Sequence, residues 1–188
     1  MRKTLLACCI AGSLSSVCSA FDETAELEWA NETAKEYATA LKSELMAAMH
    51  AGGTLEAIET CNTKALAIGQ EMSLANGENV SRVSLRNRNP ENVPNDWQEA
   101  VLIDFENRKQ AGENPDALTW HEIAETDQGL VFRYMKAIPT APLCLQCHGT
   151  NIAPPVAEKL AELYPNDQAT GFEVGDLRGA FVVTRVVK

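Results

Sequence analysis

Five consecutive residues near the C-terminal end, Cys144-Leu145-Gln146-Cys147-His148, constrain this chain more than any other feature of it. Two thiols stand about one helical turn apart, and an imidazole follows the second directly. In that order and spacing, C-x-x-C-H can add both sulfurs across the vinyl groups of a haem while the adjacent histidine faces the iron. Three other readings compete: a dithiol redox pair, half of a zinc site, and a plain disulfide. A redox C-x-x-C opens a helix after a strand, whereas here Pro139 and Pro142 precede the motif and Gly149 follows it. A zinc site wants four ligands, and the sequence has no second C-x-x-C and no H-x-x-x-H. Covalent haem c, held through Cys144 and Cys147 with His148 on the metal, is therefore the expectation, and a disulfide is the remaining alternative.

The N-terminus supports that expectation by pointing to export. Arg2 and Lys3 make a positive start, Leu5 to Leu14 form a short apolar core, and Val17-Cys18-Ser19-Ala20 ends in small residues. The apolar run is far shorter than the roughly 20 residues of a membrane span. Residues 1–20 are thus expected to be a signal peptide cleaved near Ala20, leaving residues 21–188 as a single periplasmic domain. Of the six cysteines, three lie in that leader, and the mature chain keeps Cys61, Cys144 and Cys147. An odd set of thiols in an oxidising compartment calls for a use for each.

Charge narrows the partners. The 188 residues carry 16 Lys+Arg against 26 Asp+Glu, a formal net charge of −10, and losing Arg2 and Lys3 with the leader makes it more negative still. Such a surface repels phosphate backbones, so nucleic-acid binding is not expected. The mature chain has no run suited to a membrane span.

An iron held by His148 has a second axial position. The candidates are Cys61, His50, His121, Met46, Met49, Met72, Met135, or no residue at all. Gly52-Gly53 ends one helical pattern and Thr54 can cap another running to Met72, with Glu56 and Glu59 near its positive end. Leu55, Ile58, Ala65, Ile68 and Met72 form its apolar stripe, on which Cys61 falls. Burial as a small hydrophobe and ligation both require that inward face, so spacing alone leaves the role of Cys61 open.

Two longer runs carry a resemblance. Arg82-Val83-Ser84-Leu85-Arg86-Asn87-Arg88-Asn89-Pro90-Glu91-Asn92-Val93-Pro94 resembles the R-V-S-x-x-x-R-N-P-x-N-x-P signature of a bacterial family long labelled a domain of unknown function. Leu163-Tyr164-Pro165-Asn166-Asp167-Gln168-Ala169-Thr170-Gly171-Phe172, followed by Gly175-Asp176-Leu177-Arg178-Gly179-Ala180, is similar to its C-terminal signature, with Phe172 where Tyr is usual. Members are periplasmic haem-c modules of PAS-like fold, free-standing in cyanobacteria or serving as input domains of histidine kinases and chemoreceptors. The resemblance implies His and Cys as the axial ligands, which fall here on His148 and Cys61. No kinase or membrane segment follows Lys188, so the expected signal passes to a separate protein.

The remaining patterns suit an α+β, PAS-like domain: a small antiparallel sheet with flanking helices. Leu27, Ala30, Ala34, Tyr37, Leu41, Leu45 and Met49 mark an amphipathic helix over 22–50, a possible homodimer surface. Trp97, Val101, Leu102 and Phe105 mark a second helix between Pro94 and Gly112, and Pro154-Pro155 opens a third through Leu163. Strands are expected over 82–85, 130–138 and 180–187. There are no internal repeats.

The two haem propionates need positive partners in so acidic a chain. Arg82, Arg86 and Arg88 form the densest basic cluster, and Arg82 and Arg88 match the signature, so these two are the expected partners. His121 reads as a surface histidine. With His148 and Cys61 both on the iron no position stays free, and a redox or gas-responsive sensor, opened to NO, CO or O2 on reduction, is the leading expectation. A monohaem electron carrier serving a redox partner is the alternative. A small haem peroxidase is the least expected.

Overall fold

The computed structural model describes residues 21–76 and 78–187. Its elements run α1 (Glu23–Asn76), β1 (Asn79–Val83), α2 (Asp96–Gln110), β2 (Thr119–Thr126), β3 (Gly129–Pro139), α3 (Leu145–His148), α4 (Pro154–Leu163) and β4 (Leu177–Val186). The fold is α+β. The proposed leader, residues 1–20, lies outside the described residues.

α1 is two helices meeting at an elbow. Gly53 has φ 71° and ψ −154°, a left-handed φ that breaks the helix where Gly52-Gly53 was expected to break it. The two arms, 23–52 and 54–76, fold back side by side. Tyr37 Oη donates to the Ala65 carbonyl at 3.5 Å, and Lys64 Nζ meets Glu44 Oε2 at 2.7 Å across the seam.

The sheet has the order β1-β4-β3-β2 and is antiparallel throughout. Because side chains alternate along a strand, each face collects its own core. On one face Met135, Ala137, Ala180 and Val182 pack against Val101, Leu102 and Phe105 of α2. On the other, Phe132, Tyr134 and Val183 receive Ala30 and Ala34 from the first arm of α1. Of the apolar stripe on that arm, Leu27, Ala30, Ala34 and Tyr37 pack against the sheet. α2 starts where its sequence dictates: Asn95 and Gln98 exchange side-chain and backbone bonds in a capping box. Pro154 opens α4 as expected.

Three expectations need correction. The first strand lies at Asn79–Val83 rather than 82–85, because Ser84 turns away to bond Asn92. A fourth strand, β2, pairs with β3 at the sheet edge, where its mixed polar sequence hides it. Leu55 is 43% exposed, while Ala57 and Ile58 carry the inward contacts of the second arm.

Candidate functional site

The pentapeptide occupies a 3-10 turn, Pro142–Cys144, that runs straight into the single helical turn of α3. Pro142 fixes the start of that turn. Helical winding brings Cys144 and Cys147 to one side with His148 next to them. All three cysteines of the described chain are free thiols, each half-buried. No three His, Cys, Asp or Glu side chains among the described residues converge as a set able to hold a metal ion directly.

Two other segments clamp this turn. From the C-terminal signature, the N–H groups of Phe172 and Gly171 donate to the carbonyls of His148 and Gly149, both at 2.9 Å. From the R-V-S run, Arg88 Nη2 donates to the Cys147 carbonyl at 2.6 Å and to the Ala169 carbonyl at 3.2 Å. Its Nε meets Asp167 Oδ2 at 2.9 Å, a pair whose side chains are only 10% and 11% exposed. The α1 elbow touches the turn as well, through Thr54 Oγ1 donating to Gln146 Oε1 at 2.9 Å.

The protonation pattern of His148 follows from its partner. Nδ1 lies 2.7 Å from the Ala169 carbonyl oxygen, which can only accept, so the proton sits on Nδ1. Nε2 is left with a bare lone pair, the arrangement of a histidine ready to bind a metal. Burial, with Arg178 and Arg88 nearby, pushes the His148 pKa down to about 2. The Phe172 ring meets the imidazole edge-on at 6.3 Å. Arg178 Nε lies 3.2 Å from the same Nδ1. Since Nδ1 already carries a hydrogen, that contact sets two donors face to face.

Cys61 belongs to the second arm of α1, one turn after Ile58. Ile58 packs with Val156, Leu160 and Tyr164, and Cys147 joins the edge of that cluster. Burial pushes the Cys61 thiol up, and Arg82 and Arg88 pull it the other way; Cys147 feels burial, Arg88 and Cys61 itself. The three thiols, His148, Arg82, Arg88 and Arg178 thus share one neighbourhood. Three of the other candidates for the second axial position are placed differently: His121 on β2 bonds Glu23 at 3.1 Å, His50 is exposed, and Met135 is fully buried in the α2 core.

The two arginines chosen from sequence differ in placement. Arg88 is committed to Asp167 and to backbone carbonyls. Arg82 lies on β1 opposite Phe181, and its side chain makes no hydrogen bond or ion pair among the described residues. Sequence reasoning missed Arg178, on β4. Its guanidinium Nη1 donates to Ser84 Oγ at 3.1 Å and to the Arg86 carbonyl at 3.2 Å. Burial first, then Arg82 and Arg88, lowers its pKa to about 9. The signal was present in the Gly175–Ala180 run, but nothing local distinguished this arginine from a solvated strand residue.

These features suit the binding of a haem. Two free thiols stand at thioether spacing, a histidine offers an unprotonated Nε2, a third thiol lies on the facing helix, and two guanidinium groups lack carboxylate partners. The class this defines is a small α+β domain with thiols, an imidazole and arginines gathered at one site.

Comparison with known proteins assigns it further. The Tll0287-like family model matches residues 18–185, and the chain belongs to that family. Among solved structures it is similar to one described as the crystal structure of the cyanobacterial heme-protein Tll0287, with 26% identity, a TM-score of 0.60, and coverage of 87% of this chain and 96% of that one. No curated protein matches.

Proposed function

We propose that this protein is an exported haem protein of c type, with PAS-like topology, acting in the periplasm as a redox or gas-responsive sensor. Cys144 and Cys147 would hold the haem through thioether bonds, and His148 and Cys61 would bind its iron. The observation that carries the reading is the Nδ1 bond of His148 to the Ala169 carbonyl beside two unpaired thiols. When bound, the group supplies one-electron chemistry and, once a ligand leaves, a place for a diatomic gas.

The chain's own residues do the rest. Ala169 fixes the tautomer and the ring plane of His148. Arg88 and Asp167 hold the Cys147 end of the turn against the loop that carries Ala169. Cys61 stands on the helical arm whose first residue, Thr54, is bonded to Gln146, which ties that arm to the pentapeptide. That linkage favours sensing.

Electron transfer is the second reading, favoured by the partial exposure of Cys144 and Cys147, which leaves the attachment edge open to a redox partner. Intact mass, visible absorption and EPR of the protein, produced with cytochrome-c assembly machinery, test the assignment. One haem per chain and a low-spin thiolate spectrum are expected. Bare polypeptide mass with a Cys144–Cys147 disulfide overturns it. Loss of Cys61 and gas binding on reduction would mark the sensor, and reversible reduction with unchanged ligation the carrier.

A further inference from the structure

Positive charge at the site is not balanced by the chain. Arg82, Arg88 and Arg178 surround the thiols and His148, yet among the described residues only Arg88 has a carboxylate on it, from Asp167. Asp176, near in sequence, is spent on Lys109 at 2.7 Å. Arg178 is the clearer anomaly of the two that remain. Its Nη1 is satisfied by Ser84 and Arg86, but its Nε points at a nitrogen that is itself a donor, 3.2 Å away. A half-buried guanidinium held in that pose has no carboxylate in ion-pair contact and no acceptor on Nε, with Asp167 nearby but engaged by Arg88, and a charge left poorly paired away from water is costly.

The pose is fixed rather than adaptable. Gly179, the next residue, has φ 152°, and a Cβ there would come within 2.2 Å of the Val83 carbonyl. β4 can therefore press against the end of β1 at this point, which sets Arg178 beside Ser84. The Phe172 ring lies 5.3 Å from its guanidinium carbon, with Arg86 over the same ring at 4.1 Å. Arg86 is exposed and bonded to the Thr170 carbonyl, and Arg88 is occupied by Asp167. Of the three, Arg178 is the one whose guanidinium lies against the His148 ring nitrogen.

We infer that Arg178 is the anchor for a carboxylate side arm of the bound porphyrin, its guanidinium taking one propionate beside the axial histidine. The inference rests on the haem reading above. A planar fork suits a carboxylate, and a charge-assisted pair supplies both missing partners at once. Arg82, the other guanidinium without a carboxylate, is then available to the second propionate.

Resonance Raman spectroscopy of the haem-loaded protein reads this directly, because the propionate-bending band follows hydrogen bonding to the carboxylate. Arg178→Gln should shift that band and lower the midpoint potential, since a positive charge near the iron is lost. Arg178→Lys, which keeps the charge without the fork, should shift the band less and supplies the readout if the glutamine variant does not accumulate. Arg86→Gln should leave the band in place. Loaded Arg178→Gln and Arg178→Lys proteins with wild-type propionate bands would overturn the anchor and leave the haem reading standing. Wild-type protein without a haem mass increment would overturn both.

Discussion

His148 Nδ1 and the carbonyl oxygen of Ala169 stand 2.7 Å apart, and this one bond decides which nitrogen of the imidazole is free to act. The carbonyl is held in turn: Ala169 N–H donates to Asp167 Oδ1 at 2.8 Å, and Asp167 Oδ2 takes Arg88 Nε. A chain of bonds therefore runs from the R-V-S segment through the C-terminal loop to the pentapeptide.

Breaking the middle of that chain should be costly. Asp167→Asn keeps an acceptor for Ala169 N–H but leaves Arg88 without its counter-charge in a nearly buried setting. Truncating one partner of such a pair generally costs about 3 kcal/mol or more. A loss of roughly 2–3 kcal/mol in urea unfolding is expected, below the full cost because Asn retains one bond. Wild-type stability would show that the Arg88–Asp167 pair does not brace the turn.

The buried imidazole makes stability depend on pH. His148 has a folded pKa of about 2 against about 6.5 when unfolded. Below about 6.5 the unfolded chain binds a proton that the folded chain refuses, so stability is full above that pH and falls as acid is added, down to the folded value. In protein produced without haem, the slope from this group approaches about 1.4 kcal/mol per pH unit below pH 6. Urea unfolding at pH 7 and pH 5 should show the loss, and His148→Gln should reduce it by that amount.

The elbow of α1 should tolerate a side chain sterically but not conformationally. A Cβ on Gly53 meets nothing within 4 Å, yet φ 71° with ψ −154° is a backbone conformation essentially reserved for glycine, costing an L-residue about 1–3 kcal/mol. Gly53→Ala is expected to lose about that much stability. A variant equal to wild type in thermal unfolding would mean that the elbow relaxes without harm to the seam between the arms.

At the proposed axial position, Cys61→Ala should leave the covalent haem mass unchanged and remove the thiolate signature from the oxidised EPR spectrum. An identical spectrum would assign that side of the iron to another residue.

Local chemistry made much of the architecture legible. Asn95 with Gln98, Pro154-Pro155 and Gly52-Gly53 act within a few residues of themselves, so their consequences can be read in place. β2 could not be read this way: Thr119-Trp120-His121-Glu122 carries no clean alternation, and none of the strand's residues is fully buried at the sheet edge. The same distinction separates the site residues. The pentapeptide stands out by its spacing alone, whereas Arg178 acquires its surroundings from His148, 30 positions away, and Ser84, 94 positions away. Leu55 erred for a related reason, since the face a helix buries is chosen by its neighbours, and α4 meets this arm at Ile58.

The strand order places β4 between β1 and β3, two strands that have no bonds to each other. Until residues 177–186 are laid down, β1 has no lateral neighbour and Arg178 is absent from the neighbourhood of the thiols. Synthesis thus completes the pentapeptide before the keystone of the sheet exists, and the thiols precede the strand that joins β1 to the rest of the fold.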